Sequence, residues 1–452
     1  MSLKIALVRP KYKTHLITPP LGLGYISSYL KSKGWQTTII DGLNLNLGNE
    51  DIVARCRNCD IVGITCLTDF YLEVVDLSKK LKQAGKTVVL GGVHPSVLPG
   101  QSQSESGVDY IVVGEGEATF DELLGAIDRG QRPYSVPGVF SLSHQAEFKP
   151  RDLLADLDKL PFPDWDELDP RTYQKAPHGA LVKNFPVAPV VSTRGCPYSC
   201  KFCASPRFWG QRLRFRSPAN VVAEIEYLVK KFGVKEIHFE DDNLTLRREH
   251  VVAICNLIIA KGIKISWATP NGIRADKVDE ELLALMKKAG CYYVVFGIES
   301  GNQKILENIN KKETLADIAK AVKLSHELGM ITQGFFILGL PGETEETIKN
   351  SINFAKRLPL DRAQFLILDL LPGSALWEEQ KNNFVMDYSK ESYHEPTWVP
   401  DTISPAALKA WQPRAFRSFF FRPGPLFSLI KFFRLSQIRF VIKRLVDFRI
   451  FN

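Results

Sequence analysis

Residues 1–130 alternate short apolar runs with helix-length amphipathic segments. KIALVRP (4–10), TTIIDG (37–42), DIVGITCLT (60–68), KTVVLGG (86–92) and DYIVVGEGE (109–117) read as strands, with helical patterns at 23–33, 70–84 and 118–129. Apolar strands spaced by helices predict parallel βαβ units, here a doubly wound, Rossmann-like sheet. Ligands of such sheets sit beyond the carboxyl ends of the strands, and four of the five runs end there in Gly or Pro clusters: RP, DG, GGVHP and GEGE. QSQSES (101–106) reads as a polar loop.

Residues 131–187 lose the periodicity and gain proline (PYSVPG, KLPFPDW, LDP), so they predict a linker or strap between domains. A second alternating series follows. Its strands are APVVSTRG (188–195), KEIHFEDD (235–242), KISWATP (264–270), CYYVVFGIES (291–300), MITQGFFILG (330–339) and RAQFLILDLL (362–371). Helical patterns fall between them near 218–232, 247–261, 279–289, 312–328 and 344–357. Six such repeats fall short of the eight, spread over about 250 residues, of a complete barrel. The α/β fold expected is therefore a Rossmann-like domain (1–130), a strap (131–187), a partial (βα)6, TIM-like barrel (188–375) and an extension (376–452) with a helical C-terminal tail. Chemistry in the barrel again belongs at the carboxyl ends of its strands.

Composition narrows the function. The chain has 452 residues, 45% apolar and 24% charged, which excludes wholesale disorder and collagen. No apolar run approaches the roughly 18 residues of a membrane span, and MSLKIALVRP reads as a strand and not as a signal peptide. Eight cysteines without a secretory signal indicate the reducing cytoplasm, where clustered thiols serve as ligands. The net charge of +8 is localised. Nine of the 58 basic residues and one of the 50 acidic ones lie in 414–452, leaving 49 of each elsewhere. The neutral body carries no nucleic-acid footprint. The tail also holds ten of the 27 Phe, a composition suited to peripheral contact with an anionic membrane at its inner face, or to packing on the barrel with snorkelling Arg.

The strongest chemical signal is TRGCPYSCKFC, which places Cys196, Cys200 and Cys203 in a C-x3-C-x2-C loop just after the first barrel strand. Three thiolates on one short loop can take three corners of a cubane 4Fe–4S cluster and leave one iron open. Structural zinc is the alternative, although it wants a fourth ligand and none follows at finger spacing. Cys56 and Cys59 form a lone C-x-x-C, and Cys66, Cys255 and Cys291 sit in apolar patterns as core residues.

With Phe202 as the aromatic before the third cysteine, this loop at the end of a first barrel strand resembles the radical S-adenosylmethionine superfamily over about 188–371. The resemblance implies that the open iron binds S-adenosylmethionine, whose reductive cleavage yields a 5′-deoxyadenosyl radical. It also implies an external electron donor such as flavodoxin or ferredoxin. Around that cofactor it implies Glu240 of EDDN, Arg274 of NGIRAD facing its carboxylate, Glu299 and Ser300 of GIES, Gln333, and Gly339 and Gly342 of GLPGET beside adenine.

The N-terminal domain, on PPLGLGYISSYL (Gly22, Gly24), TCLT (starting at Thr65), GGVHPS (Gly91, Gly92, His94) and GEGE (Gly114, Glu115), resembles the cobalamin-binding domain of the cobalamin-dependent members. A D-x-H-x-x-G pattern is absent, because Asp41 is followed by Gly-Leu-Asn; His94 is the remaining histidine for cobalt, and backbone hydrogen bonding is its competing role. The activity implied is cobalamin-dependent methylation of an unactivated carbon of a small-molecule, even lipid-like, substrate. The alternatives are a radical cyclase or rearrangement enzyme on the same scaffold, or a non-catalytic metal-binding scaffold at the membrane surface.

Overall fold

A computed structural model describes residues 3–176, 182–390 and 392–425, together with Ser428 and Ile442. It divides into two compact units, Met1–Gln174 with Ala204–Arg214, and Lys175–Cys203 with Phe215–Asn452. The basic, aromatic tail beyond 425 therefore lies outside the described residues, apart from Ser428 and Ile442, and with it most of the expected membrane contact. No described helix is long and apolar enough to cross a membrane.

The first unit is built on β1 (Lys4–Arg9), β2 (Gln36–Asp41), β3 (Ile61–Thr65), β4 (Thr87–Gly91), β5 (Tyr110–Val112) and β6 (Val139–Phe140), in the order β2-β1-β3-β4-β5-β6. The first five are parallel, and β6, drawn from the proline-rich segment, runs antiparallel to β5. The strand order reverses between β1 and β3, the position where doubly wound sheets open a crevice for ligands. The sheet carries α1 (Leu21–Ser32), α2 (Asn49–Arg55), α3 (Tyr71–Gln83), α4 (Val93–Val97), α5 (Pro99–Ser106) and α6 (Gly116–Asp128).

QSQSES is helical, contrary to the loop reading. Pro99 starts α5 at its first turn, Gly107 ends it at φ +69°, and the Ser106 hydroxyl donates to the Ser102 carbonyl. End signals and buried serines specify this helix, with no apolar stripe to reveal it. The strap, whose Trp165 is fully buried, packs on α1 through Asp164, which accepts from Ser27 Oγ at 2.6 Å and pairs with Lys31 at 2.6 Å.

The second unit contains β7 (Val187–Val190), β8 (Glu236–Phe239), β9 (Ser266–Ile273), β10 (Cys291–Glu299), β11 (Ile331–Leu338) and β12 (Arg362–Ile367), paired in that order and all parallel. With β7 and β12 at the edges, the sheet is the six-strand, partial barrel expected. β9 runs three residues past the predicted end at Pro270 by way of register shifts against β10, with Gly272 at φ +91°. Pro270 cannot donate a ladder bond, so an irregular stretch is the cost of continuing through it.

Helices α7 (Pro218–Phe232), α8 (Arg248–Ala260), α9 (Glu280–Lys288), α10 (Leu315–Glu327) and α11 (Glu345–Arg357) alternate with the strands. Ser217, Asp279, Thr314 and Thr344 cap α7, α9, α10 and α11 through side-chain acceptors. The outer face of β12 is closed by α12 (Pro405–Phe420): Phe365 stacks on Phe336 at 5.1 Å and meets Phe416 and Phe419 edge-on at 5.8 and 6.4 Å.

Phe365→Ala is expected to cost about 3–5 kcal/mol, because it removes the ring that joins the barrel wall to α12. Urea unfolding of the full chain, with unchanged slope, checks this.

Candidate active site

After β7 the chain passes Gly195 (φ +101°) and enters the cysteine loop. Two neighbouring segments hold that loop. Lys201 N–H donates to Ile309 O at 2.9 Å, Asn310 Nδ2 donates to Ser199 Oγ at 2.6 Å, and Leu376 N–H donates to Lys201 O at 2.8 Å. Cys196, Cys200 and Cys203 are half-buried and in no disulfide, and Phe202 between them is half-buried too. Burial pushes the Cys196 and Cys200 thiols up, while the charges of Lys311 and Arg274 pull both back toward thiolate.

The loop is anchored from below by Asp241, at the end of β8. Its carboxylate accepts from Ser192 Oγ at 2.7 Å and Thr193 Oγ1 at 2.6 Å, and burial pushes it up to about 6. Of EDDN, then, Asp241 is a fastener. Glu240 is half-buried at the strand end, and Asn243 is buried with neither amide atom hydrogen-bonded among the described residues. A buried amide in that state is one that a polar ligand satisfies.

A buried ionic network adjoins the cysteines. Lys311 Nζ lies 2.9 Å from Glu299 Oε1 and 3.4 Å from Glu313 Oε2. Burial works against the Lys311 charge, but Glu299 and Glu313 outweigh it and raise the pKa. Glu299 holds φ +62°, unusual for a side-chain-bearing residue. Such strain costs of order 1–3 kcal/mol and persists only where the surroundings enforce it.

Arg274, expected to face the cofactor carboxylate, has its donors engaged within the protein. It donates to Asp276 at 2.8 Å and to the carbonyls of Lys311 and Lys312 at 2.7 and 2.8 Å, and its guanidinium lies 3.8 Å over the Tyr198 ring. It braces the 311–312 segment against the cysteine loop. Lys311, Glu313, Tyr198 and Asn243 escaped the sequence reading: KKE (311–313) looks like a solvated charge run, and only the fold buries Lys311 and Glu313 while leaving Lys312 exposed.

The remaining barrel candidates divide by what already holds them. Ser300 Oγ contacts Ser351 Oγ at 3.1 Å, so it ties β10 to α11. Gln333 accepts from the Tyr293 hydroxyl inside the barrel. Gly339 (φ +89°) and Gly342 (φ +79°) form a turn closed by Glu343, whose buried carboxyl accepts from the N–H groups of Gly339 and Leu340. Burial pushes Glu343 up to about 8 despite those bonds.

In the first unit, Gly22 and Gly114 (φ +82°) have open space where a Cβ would stand, and Thr65 and Gly91 end β3 and β4 half-buried. Other candidates are engaged in packing. A Cβ on Gly24 would meet Leu168 at 2.7 Å and Pro163 at 2.9 Å, so the strap requires that glycine. One on Gly92 (φ +109°) would meet Cys66 O at 2.5 Å. The Glu115 carboxylate is paired with Arg214 at 2.8 Å and accepts from Leu154 N–H at 2.8 Å. His94 is buried in α4, with Nδ1 3.1 Å from Thr68 Oγ1 and its ring 4.2 Å from Tyr71. Burial lowers it to about 4, which leaves it neutral at pH 7. Cys66, Cys255 and Cys291 are buried, as core residues should be.

The donor set in the second unit fits an iron–sulfur cluster: three undisulfided thiols on one loop, beside two cations that offset thiolate charge. Among the described residues no three His, Cys, Asp or Glu side chains are gathered at metal-holding spacing. The carboxyl-end crevice of the first unit, with Gly22 and Gly114 open, fits a bulky ligand.

Lys311→Met should destabilise the chain by about 3–5 kcal/mol, since it leaves buried carboxylates uncompensated. Glu313, which burial already pushes up, would then hold its proton still longer folded than unfolded, so the deficit should be larger at pH 8 than at pH 5, as read by denaturant midpoints. Glu343 follows the same sign. Its contribution is complete below its ordinary value of 4.5 and is lost as pH rises through about 8. Glu343→Gln should therefore flatten the fall in thermal midpoint between pH 5 and 8.

Comparison with known proteins agrees with this geometry. The radical SAM superfamily model matches residues 190–355 and the B12-binding domain model matches residues 12–124. An uncharacterized methyltransferase of Pyrococcus horikoshii is 33% identical over 98% of this chain and 97% of its own length. The cytidylyl-2-hydroxyethylphosphonate methyltransferase of Streptomyces wedmorensis is 30% identical over 86% of this chain and 83% of its own. Among solved structures, the radical S-adenosylmethionine methyltransferase TsrM from Kitasatospora setae, with cobalamin and a [4Fe-4S] cluster bound, superposes with TM-score 0.71 at 20% identity, over 92% of this chain and 82% of that one. With its thiol loop on the first strand of a partial barrel and a B12-binding domain before it, the chain belongs to the radical S-adenosylmethionine superfamily, as a cobalamin-binding enzyme that uses S-adenosylmethionine and a 4Fe–4S cluster.

Proposed function

We propose that this enzyme methylates an unactivated carbon of a small-molecule substrate. The observation that carries the reading is the presence of a B12-binding unit and a radical SAM thiol loop on one chain, two of whose relatives, matched over more than four-fifths of both chains, are named methyltransferases. When bound, the cluster would supply the electron for reductive cleavage of S-adenosylmethionine and cobalamin would supply the methyl-carrying chemistry. The chain's own residues bind and aim. Cys196, Cys200 and Cys203 are the cluster ligands. Lys311 and Arg274 neutralise charge beside them and fix the loop. Glu240, Asn243, Glu299 and the Gly339–Gly342 turn supply polar atoms and close backbone approach for the nucleoside. In the N-terminal portion, about 1–130, Gly22 and Gly114 leave backbone room for the corrin, with Gly91 at the end of β4 and His94 left neutral at its side.

The finer assignments belong to the same proposal. A flavodoxin- or ferredoxin-type donor suits a low-potential cluster, and the reducing cytoplasm suits unpaired cysteines. Residues 414–452, with their excess of Arg, Lys and Phe, suit peripheral contact with an anionic membrane and a hydrophobic substrate.

Anaerobic reconstitution with iron, sulfide and hydroxocobalamin, followed by desalting and metal analysis, is the test. The expected result is about four irons and one cobalt per chain, with 5′-deoxyadenosine and S-adenosylhomocysteine both formed on turnover. Cys203→Ala should abolish deoxyadenosine formation. Deoxyadenosine without stoichiometric S-adenosylhomocysteine would replace methylation by cyclisation or rearrangement, and zinc in place of iron would reject the radical chemistry.

A further inference from the structure

The second unit holds a further buried cation, Arg362, and unlike Lys311 it has no counterion among the described residues. Arg362 opens β12 in register with Gln333 of β11, is 7% exposed, and has Nε and Nη2 without hydrogen-bond partners. No carboxylate among the described residues stands within ion-pair distance of it. Asp361, its neighbour in sequence, is bonded to the Thr332 N–H at 2.9 Å. The Glu236 carboxylate is taken up by Tyr292 Oη at 2.6 Å, His238 Nε2 at 2.9 Å and Asn184 N–H at 2.7 Å. The guanidinium centre lies 5.5 Å over the Tyr293 ring, and the Tyr293 hydroxyl is itself fixed on Gln333.

Side chains alternate across a sheet. Phe365 faces the outer helix α12, so Arg362, Gln364 and Leu366 face the interior with Tyr293, Val295, Gln333 and Phe335. Burial along that face is graded. Tyr293, Gln333 and Arg362 are sealed, whereas Gly297, Phe335, Ile337, Gln364 and Leu366, nearer the carboxyl ends, are half-buried. Arg362 therefore stands at the sealed end of that inward face. In register, Arg362 lies three residues below Glu299, or about 10 Å at the usual rise of 3.3 Å per residue.

A guanidinium held out of water without a partner costs several kcal/mol, and its fork of N–H groups matches a carboxylate or phosphoryl group in two-point contact. We infer that Arg362, with Tyr293 and Gln333 beside it, is an anion subsite that anchors a carboxylate or phosphoryl group of the substrate at that sealed end, leaving the carbon to be modified near the carboxyl ends of the strands. This deepens the proposed function and rests on it for the identity of the occupant as substrate.

The test is thermal unfolding of the full, cluster-loaded chain, titrated with sodium phosphate or sodium acetate at constant ionic strength in chloride. The wild type should show a saturable rise in midpoint with one of the two anions: phosphate for a phosphoryl group, acetate for a carboxylate. In Arg362→Met the rise should vanish, and the anion-free midpoint should equal or exceed that of the wild type, because an unpaired buried charge has been removed. A wild type indifferent to both anions, or an R362M variant that keeps the full rise, overturns the subsite. So does an anion-free R362M midpoint well below the wild type, which would mark a structural arginine. Deoxyadenosine formation by the same wild-type preparation reports separately on the proposed function. Its absence beside an intact anion response would reject that reading alone, and the reverse pattern would reject the subsite alone.

Discussion

The second unit is organised around the need to compensate one buried charge. Lys311 cannot shed its proton cheaply between Glu299 and Glu313, and the pair cannot be exposed without pulling apart the carboxyl end of β10. Arg274 holds the carbonyls on either side of the Lys311–Lys312 peptide while its face covers Tyr198, and Glu313 accepts from the Ala275 N–H at 2.6 Å. Three separate segments, the thiol loop, the end of β9 and the 311–313 link, are thereby fixed to one another by charge-assisted bonds in a low-dielectric setting. Such bonds are strong when all partners are present and costly when one is missing. A loop that must present three thiols at a defined spacing gains rigidity from that all-or-none character.

The strands were legible because each is an apolar run bounded by turn residues, a signal that survives without tertiary context. Cys196, Cys200 and Cys203 were legible for a different reason: their chemistry needs a short spacing, and spacing is a property of sequence. What stayed hidden depends on register. Lys311 and Glu313 sit in a charged run that reads as solvated surface, and Arg362 reads as a residue leading into a strand. Whether each is buried, and against what, is decided by how strands far apart in sequence align. QSQSES escaped because its helix is specified by its end residues and two buried serines and lacks an apolar stripe.

The glycines teach a narrower lesson. Gly22, Gly24, Gly92 and Gly114 all fall in ligand-like loops of the first unit, yet only Gly22 and Gly114 leave space that a ligand could use. Gly24 is required by the strap that follows some 140 residues later, and Gly92 by the backbone of Cys66. A Gly-rich loop beside a strand end is thus two signals superimposed, close approach to a ligand and close approach to the chain itself, and sequence cannot separate them. Glu115 behaves likewise. Its place in GEGE suggested ligand contact, and its carboxylate is committed to Arg214.

Lys311 and Arg362 obey the same electrostatics and arrive at opposite roles. Both are cations removed from water on the inner side of one barrel, and both would be unfavourable alone. For Lys311 the fold supplies the counterions, so the charge becomes part of the scaffold and its removal exposes the partners. For Arg362 no counterion stands among the described residues: Glu236, a deeply buried carboxylate of the same sheet, is taken up by Tyr292, His238 and the Asn184 N–H. A protein that can satisfy one buried cation so completely has no structural need for a second, unsatisfied one a few residues below. What remains is a need met from outside the chain. Pairing therefore separates framework from receptor among the buried charges of this barrel, and it places recognition of an anionic group at the sealed end, beneath the chemistry at the carboxyl ends of the strands.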